Sequence, residues 1–168
     1  MRSKKLEGLV EQGFITESQA QYLEEAIARK ETIIISGHRG HGLTQLFGSL
    51  LMSIDKETTS FKQVRKPESD FDTDADYFII GDLKDVDWEA MLTKVVLKDG
   101  ANMMVMKAPE YTYSIMKILR DAAKQGDITG KVFQTVECKK IGEEKKVAKI
   151  TKTIVNENGK AVRKNFEG

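Results

Sequence analysis

The stretch Thr32 to Leu51, TIIISGHRGHGLTQLFGSLL, restricts the fold more than any other part of this chain. Three consecutive isoleucines follow Thr32. An apolar, β-branched run without alternation suits a strand buried on both faces. Gly37, Gly40 and Gly42 then supply a turn whose backbone can enter conformations closed to other residues. After it, Leu43, Leu46, Phe47, Leu50 and Leu51 recur at helical spacing and predict a helix over about 42 to 53 with these side chains inward. Buried strand, glycine turn and amphipathic helix in direct succession are the unit from which parallel α/β sheets are wound.

Residues 37 to 44 read Gly-His-Arg-Gly-His-Gly-Leu-Thr. They fit the phosphate-binding pattern G-x-x-x-x-G-K-[ST] at every defined position except one, where Leu43 replaces lysine. Such a loop works because backbone N–H groups of a tight turn point at phosphate oxygens, and the helix N-terminus adds a favourable dipole. In that scheme Thr44 places a hydroxyl on Mg²⁺, and Asp82, at the end of the later apolar strand YFIIG, holds the metal from the other side. Leucine cannot carry the charge that the lysine brings to the β- and γ-phosphates. The loss is several kcal/mol on the scale of charge-assisted contacts. Arg39 is the candidate to fold back over the phosphates, with His38 and His41 as further donors. The plainer reading of all three is solvent-exposed decoration of a connection. His38 and His41 as a metal pair lack a nearby ligand cluster. Lys84 and Arg120, the other cations near strand ends, read as ordinary surface residues, and Met103, Met104 and Met106 as core filling.

The remaining elements follow in order. Leu6, Leu9 and Val10 predict a first helix stopped by Gly13. Thr16 and Gln19 form a capping box for a second helix that turns Ala20, Leu23 and Ile27 inward. The pair is expected as a lead-in on the edge of the sheet. Residues 60 to 65 predict a second strand, and 67 to 76 an acidic connector without an assigned element. Tyr77 to Gly81 is a buried strand. Val86 to Leu97 is a helix, Asn102 to Met106 a strand, and Tyr111 to Lys124 a helix with Ile115, Ile118, Leu119 and Ala122 inward. From Lys131 onward VFQTVEC, KKVAKITKTIV and KAVRKNF read as antiparallel strands, with Asn156 to Gly159 as a hairpin turn. The expected division is a reduced α/β domain over 1–130 with its two-helix lead-in, and a C-terminal β appendage over 131–168 packed on it.

The 168 residues suffice for one domain with a core, and 40% hydrophobic against 32% charged content argues for a globular chain rather than a disordered one. A net charge of +1 does not by itself call for nucleic acid or membrane. No apolar run approaches the roughly 20 residues of a spanning helix. The start lacks the apolar centre of a signal peptide, and one cysteine, Cys138, excludes an internal disulfide, so the expected location is cytoplasmic. Charge is nevertheless segregated. Residues 68 to 89 hold nine acidic side chains and one lysine, and residues 139 to 164 nine basic against three acidic. Two solvated faces are the plain explanation. Head-to-tail contact between copies is the sharper one.

Taken together, LVEQGFITESQAQYLEEAIARKETIIISGHRGHGLTQLFGSLL resembles the start of the ATPase domain of the type II/type IV secretion and pilus-assembly ATPases. YFIIGDLKDVDWEAMLTKVV is similar to that family's Walker B strand, acid and following helix. DGANMMVMKAPE with YTYSIMKILRDA stands where the family has its histidine-box strand and next helix, and KVAKITKTIVNENGKAVRKNFEG resembles its closing β segment. The departures fall on chemistry: Leu43 for the Walker A lysine, Asp82 where glutamate is usual, no histidine in residues 103 to 107, a short 54–76 region, and no convincing arginine finger. The resemblance implies a RecA-like P-loop NTPase fold, a mostly parallel sheet flanked by helices with a small antiparallel β segment at the C-terminus. It also implies a degenerate, truncated family member, with no required cofactor and at most weak ATP/Mg. Partners would be proteins of a secretion, pilus or conjugation machine, in a homo-oligomer or an ATPase ring. The alternatives are an unusual nucleotide-binding ATPase using Arg39, and a nucleic-acid adaptor using the basic C-terminal strands. The last is disfavoured because that segment has few aromatics for stacking, Phe133 and Phe166.

Overall fold

The computed structural model describes residues 2–109 and 113–168. Among these residues the strands form one sheet in the order β2-β3-β4-β1-β5-β6-β7. The parallel part comprises β1 (Thr32–Ser36), β2 (Phe61–Gln63), β3 (Tyr77–Ile80), β4 (Asn102–Lys107) and β5 (Val132–Ile141). The antiparallel part is added by β6 (Glu144–Val155) and β7 (Ala161–Asn165). β1 lies in the middle, with β4 on one side and β5 on the other, and Ile33, Ile34 and Ile35 are fully buried. This is what an unalternating isoleucine run requires, since helices must cover both of its faces.

VFQTVEC therefore differs from the sequence expectation on one side. It is antiparallel to β6, with a register shift between Glu137 and Cys138, but parallel to β1. Its β1 side is fixed by the crossover from β4, and crossovers join parallel strands.

The helices are α1 (Lys4–Glu11), α2 (Glu17–Ala28), α3 (Leu43–Leu51), α4 (Pro67–Asp70), α5 (Trp88–Leu97) and α6 (Ile115–Gln125). α1 packs on α3 and on α2, and α2 packs on β1. The lead-in thus covers the face of the sheet at its central strand rather than its edge. The cause is apolar area: Leu6, Leu9, Ala20, Leu23, Ala26 and Ile27 are all buried, more than an edge could cover. Tyr22 of α2 stacks on Phe166 just beyond β7, with ring centroids 4.1 Å apart. α5 and α6 pack on each other over the opposite face.

Local signals act as the sequence suggests. Thr16 Oγ1 accepts from Gln19 N–H, and the Gln19 side chain accepts from Thr16 N–H. Gly13, at φ 77°, ends α1: Gly13 N–H donates to Val10 O and Phe14 N–H to Leu9 O. This paired closure is a Schellman cap. Asn156 closes the β6–β7 turn, its side chain accepting from Asn158 and Lys160 N–H. The second strand shortens to three residues, and the unassigned connector contains α4. The expected start of the last helix at Tyr111 lies outside the described residues, and α6 begins at Ile115, capped by Ser114. Among the described residues no helix is long and apolar enough to cross a membrane.

Candidate functional site

The connection from β1 runs through α3 towards the β2 edge, and that from β4 runs through α6 past β1 to β5. Neighbouring strands β1 and β4 therefore send the chain opposite ways. In such sheets the crevice beyond the carboxyl ends of the diverging strands is where ligands bind. The Gly37–Thr44 turn stands there.

Each glycine of the turn has its own environment. Gly37 N–H donates to Lys107 O at 3.1 Å, and a Cβ at Gly37 would lie 2.7 Å from Cys138 O. Gly40 has φ 85° with open space around it. Gly42 is the N-cap of α3 at φ 86°, and a Cβ there would lie 2.3 Å from Phe14 Cε2. Phe14 is delivered to this spot by the cap that ends α1, and its carbonyl accepts from Val147 N–H of β6 at 2.8 Å.

Arg39, Gly40, Gly42, Leu43, Thr44 and Asp82 line one cleft of about 280 Å³. Asp82 reaches it from the end of β3, and Arg39 Nη2 lies 3.2 Å from Asp82 Oδ1, both side chains more than half exposed. Thr44 is exposed and Leu43 is only 6% exposed, its Cδ2 turned towards Gly37. Gly37, His38 and His41 do not line the cleft. The two imidazoles meet edge to face at 5.4 Å, and His41 Nδ1 is buried without a hydrogen-bond partner. Lys84 and Arg120 are exposed and also do not line it.

The cleft also has members that the sequence did not indicate: Gln45, Met106, Ala108 and Lys145. Lys145 arrives at the start of β6, after the β5–β6 hairpin has folded back past the turn. No periodicity in KKIGEEKKV singles it out from its neighbours. The result is a crevice with two cations, Arg39 and Lys145, one carboxylate and one hydroxyl. Its volume falls just below the range of about 300–1,000 Å³ typical of small-molecule pockets. Cys138, on the other side of Gly37, is buried, which pushes its thiol up to about 12.

No family model matches the sequence. No curated protein matches it either. Solved structures do match. The VirB11 ATPase of the Brucella suis type IV secretion system, solved with sulphate, aligns at a TM-score of 0.54 and 12% identity, over 88% of this chain and 56% of that one. The Legionella pneumophila ATPase DotB aligns at 0.50 and 11% identity, over 82% of this chain and 50% of that one. The chain thus spans about half the length of these two structures. It has the mixed α/β, RecA-like fold of the secretion ATPases, with a mostly parallel sheet between helices.

Proposed function

We propose that this protein is a secretion- or pilus-type ATPase-like component that keeps the fold and does not hydrolyse nucleotide, acting as a structural or regulatory part of a secretion, pilus or conjugation apparatus. The observation that carries this reading is Leu43. The side chain at the lysine position is an apolar one, 6% exposed and turned inward beside Gly37. A leucine there cannot neutralise a γ-phosphate, and its burial makes it part of the packing. Gly37 and Gly42 also have structural reasons to be glycine, through Cys138 O and Phe14. These two glycines therefore need no ligand to account for them. Its partners in this reading are proteins of the apparatus, including further copies of the chain or the subunits of an ATPase ring.

Calorimetric titration with Mg-ATP, paired with a phosphate-release assay, tests it. The expected result is no turnover above background and no binding at about 1 mM ATP, with Leu43→Lys gaining binding. Micromolar binding that disappears in Arg39→Ala overturns it in favour of the second reading, an unusual weak nucleotide-binding site. That reading is favoured by one feature, the placement of Arg39 and Lys145 in the same cleft, with Thr44 and Asp82 available to Mg²⁺ if nucleotide binds. Light scattering separates an assembling subunit from a monomer.

A further inference from the structure

A second concavity, of about 570 Å³, opens on the opposite face of the sheet from α2. Successive residues of β5 point to opposite faces. Gln134 meets Tyr22 of α2 on one face, while Thr135 and Glu137 line this groove on the other. Its floor is the polar face of β5, β6 and β7, and one wall is the first turn of α6, with Tyr113, Ile115 and Met116.

Three features of the groove point the same way. Lys107, Lys149 and Arg163 border it from three different strands, against one carboxylate, Glu137. Lys149 Nζ lies 3.9 Å from that carboxylate, and Lys107 Nζ sits 5.4 Å from the Tyr113 ring centroid. Arg163 meets no carboxylate within ion-pair distance among the described residues. The groove therefore carries a surplus of positive charge that the fold does not neutralise. Ser36 and Thr135 add hydroxyl donors to its floor, beside Thr151, whose Oγ1 donates to Asn165 Oδ1 at 3.1 Å. The N-terminal end of α6, eleven residues long, borders the groove and adds its positive dipole end to these cations. Ile115 and Met116, the latter 36% exposed, give the same wall an apolar strip.

We propose that the groove between the first turn of α6 and the outer face of β5–β7 binds a small phosphomonoester, its phosphate between Arg163, Lys149 and the α6 N-terminus and its apolar part along Ile115 and Met116. A phosphomonoester brings up to two negative charges where a carboxylate brings one, so several cations together with a helix N-terminus favour it. The volume is that of an ordinary small-molecule pocket. The site is independent of the Gly37–Thr44 turn and of the function proposed for it.

The test is a titration of the full chain followed by amide chemical shifts, with phenyl phosphate, inorganic phosphate and benzoate as probes. Phenyl phosphate is expected to give saturable shifts centred on Met116, Thr135, Thr151 and Arg163, and to bind about fivefold more tightly than either of the other two. Arg163→Gln, on an exposed strand, is expected to weaken it by about fivefold or more, and Lys149→Gln likewise, while Arg39→Ala leaves it unchanged. The proposal is overturned by the absence of saturable shifts at about 10 mM phenyl phosphate. Shifts confined to residues 37 to 45, benzoate binding as tightly as phenyl phosphate, or wild-type affinity in both Arg163→Gln and Lys149→Gln overturn it as well.

Discussion

The ring of Phe14 rests directly on the backbone of Gly42: a Cβ built on that glycine would lie 2.3 Å from Phe14 Cε2 and 2.7 Å from Cζ. The contact ties the end of α1 to the start of α3 and explains a glycine in the turn without reference to any ligand.

Gly42→Ala is expected to cost about 2–4 kcal/mol, from a side chain at φ 86° and from overpacking against the ring. Gly40→Ala, at φ 85° but in open space, carries only the backbone part, about 1 kcal/mol. Urea denaturation of the two variants measures the difference. In Phe14→Ala the added cost of Gly42→Ala should fall towards the Gly40 value, a coupling read from the double-mutant cycle. Equal costs at 40 and 42 would contradict the packing role.

Much of this fold is legible in the sequence because its signals are local. Ile33 to Ile35, the Thr16–Gln19 box and the Gly13 stop each depend on residues within a few positions of one another, and each takes the form that its chemistry dictates. What was not legible depends on pairs distant in sequence. Phe14 with Gly42, Lys145 in the same cleft as Thr44, and β5 running parallel to β1 all arise only after the sheet is assembled. The position of α2 is not legible for the same reason: its apolar stripe says that it must be covered, but not by which strand. The cleft inherits this division, its turn residues being readable and its second cation not.

Lys131 offers a test of a partly buried ammonium. Its Nζ donates to Val96 O at 2.5 Å, Lys98 O at 2.8 Å and Ala101 O at 3.2 Å, closing the C-terminal end of α5. Lys131→Met keeps the aliphatic stem and removes the donors, leaving three carbonyls without that partner. A loss of about 1–3 kcal/mol in chemical denaturation is expected. A neutral result would mean that water replaces the ammonium at no cost.

Cys138 should be inert in the folded protein. It is 2% exposed, and burial raises its thiol from 9.0 to about 12, so the thiolate is scarce at pH 8. Reaction with a disulfide reagent is expected to be about a thousandfold slower than for the unfolded chain, and to become fast only in denaturant. Complete labelling of the native protein within the mixing time would contradict this burial.

Asp76 joins the starts of β2 and β3 and gives stability a definite pH dependence. Its Oδ2 accepts from Ser60 N–H at 2.9 Å and from Ser60 Oγ at 3.2 Å, and lies 3.3 Å from Lys30 Nζ. The Ser60 amide, and after it the Lys30 ammonium, hold the carboxyl below its ordinary value of 3.8. As pH falls, the unfolded chain takes up this proton before the folded one, so the contribution is complete above the ordinary carboxylate range and is lost as pH falls through the lower folded value. Asp76→Asn should cost about 1 kcal/mol at pH 7, the scale of one charge-assisted contact at a partly exposed site. The gap between wild type and variant should narrow steadily below about pH 4. Denaturation midpoints of both proteins from pH 7 to pH 3 measure it, and a gap that stays constant over that range would show that the charge of Asp76 does not hold the two strands together.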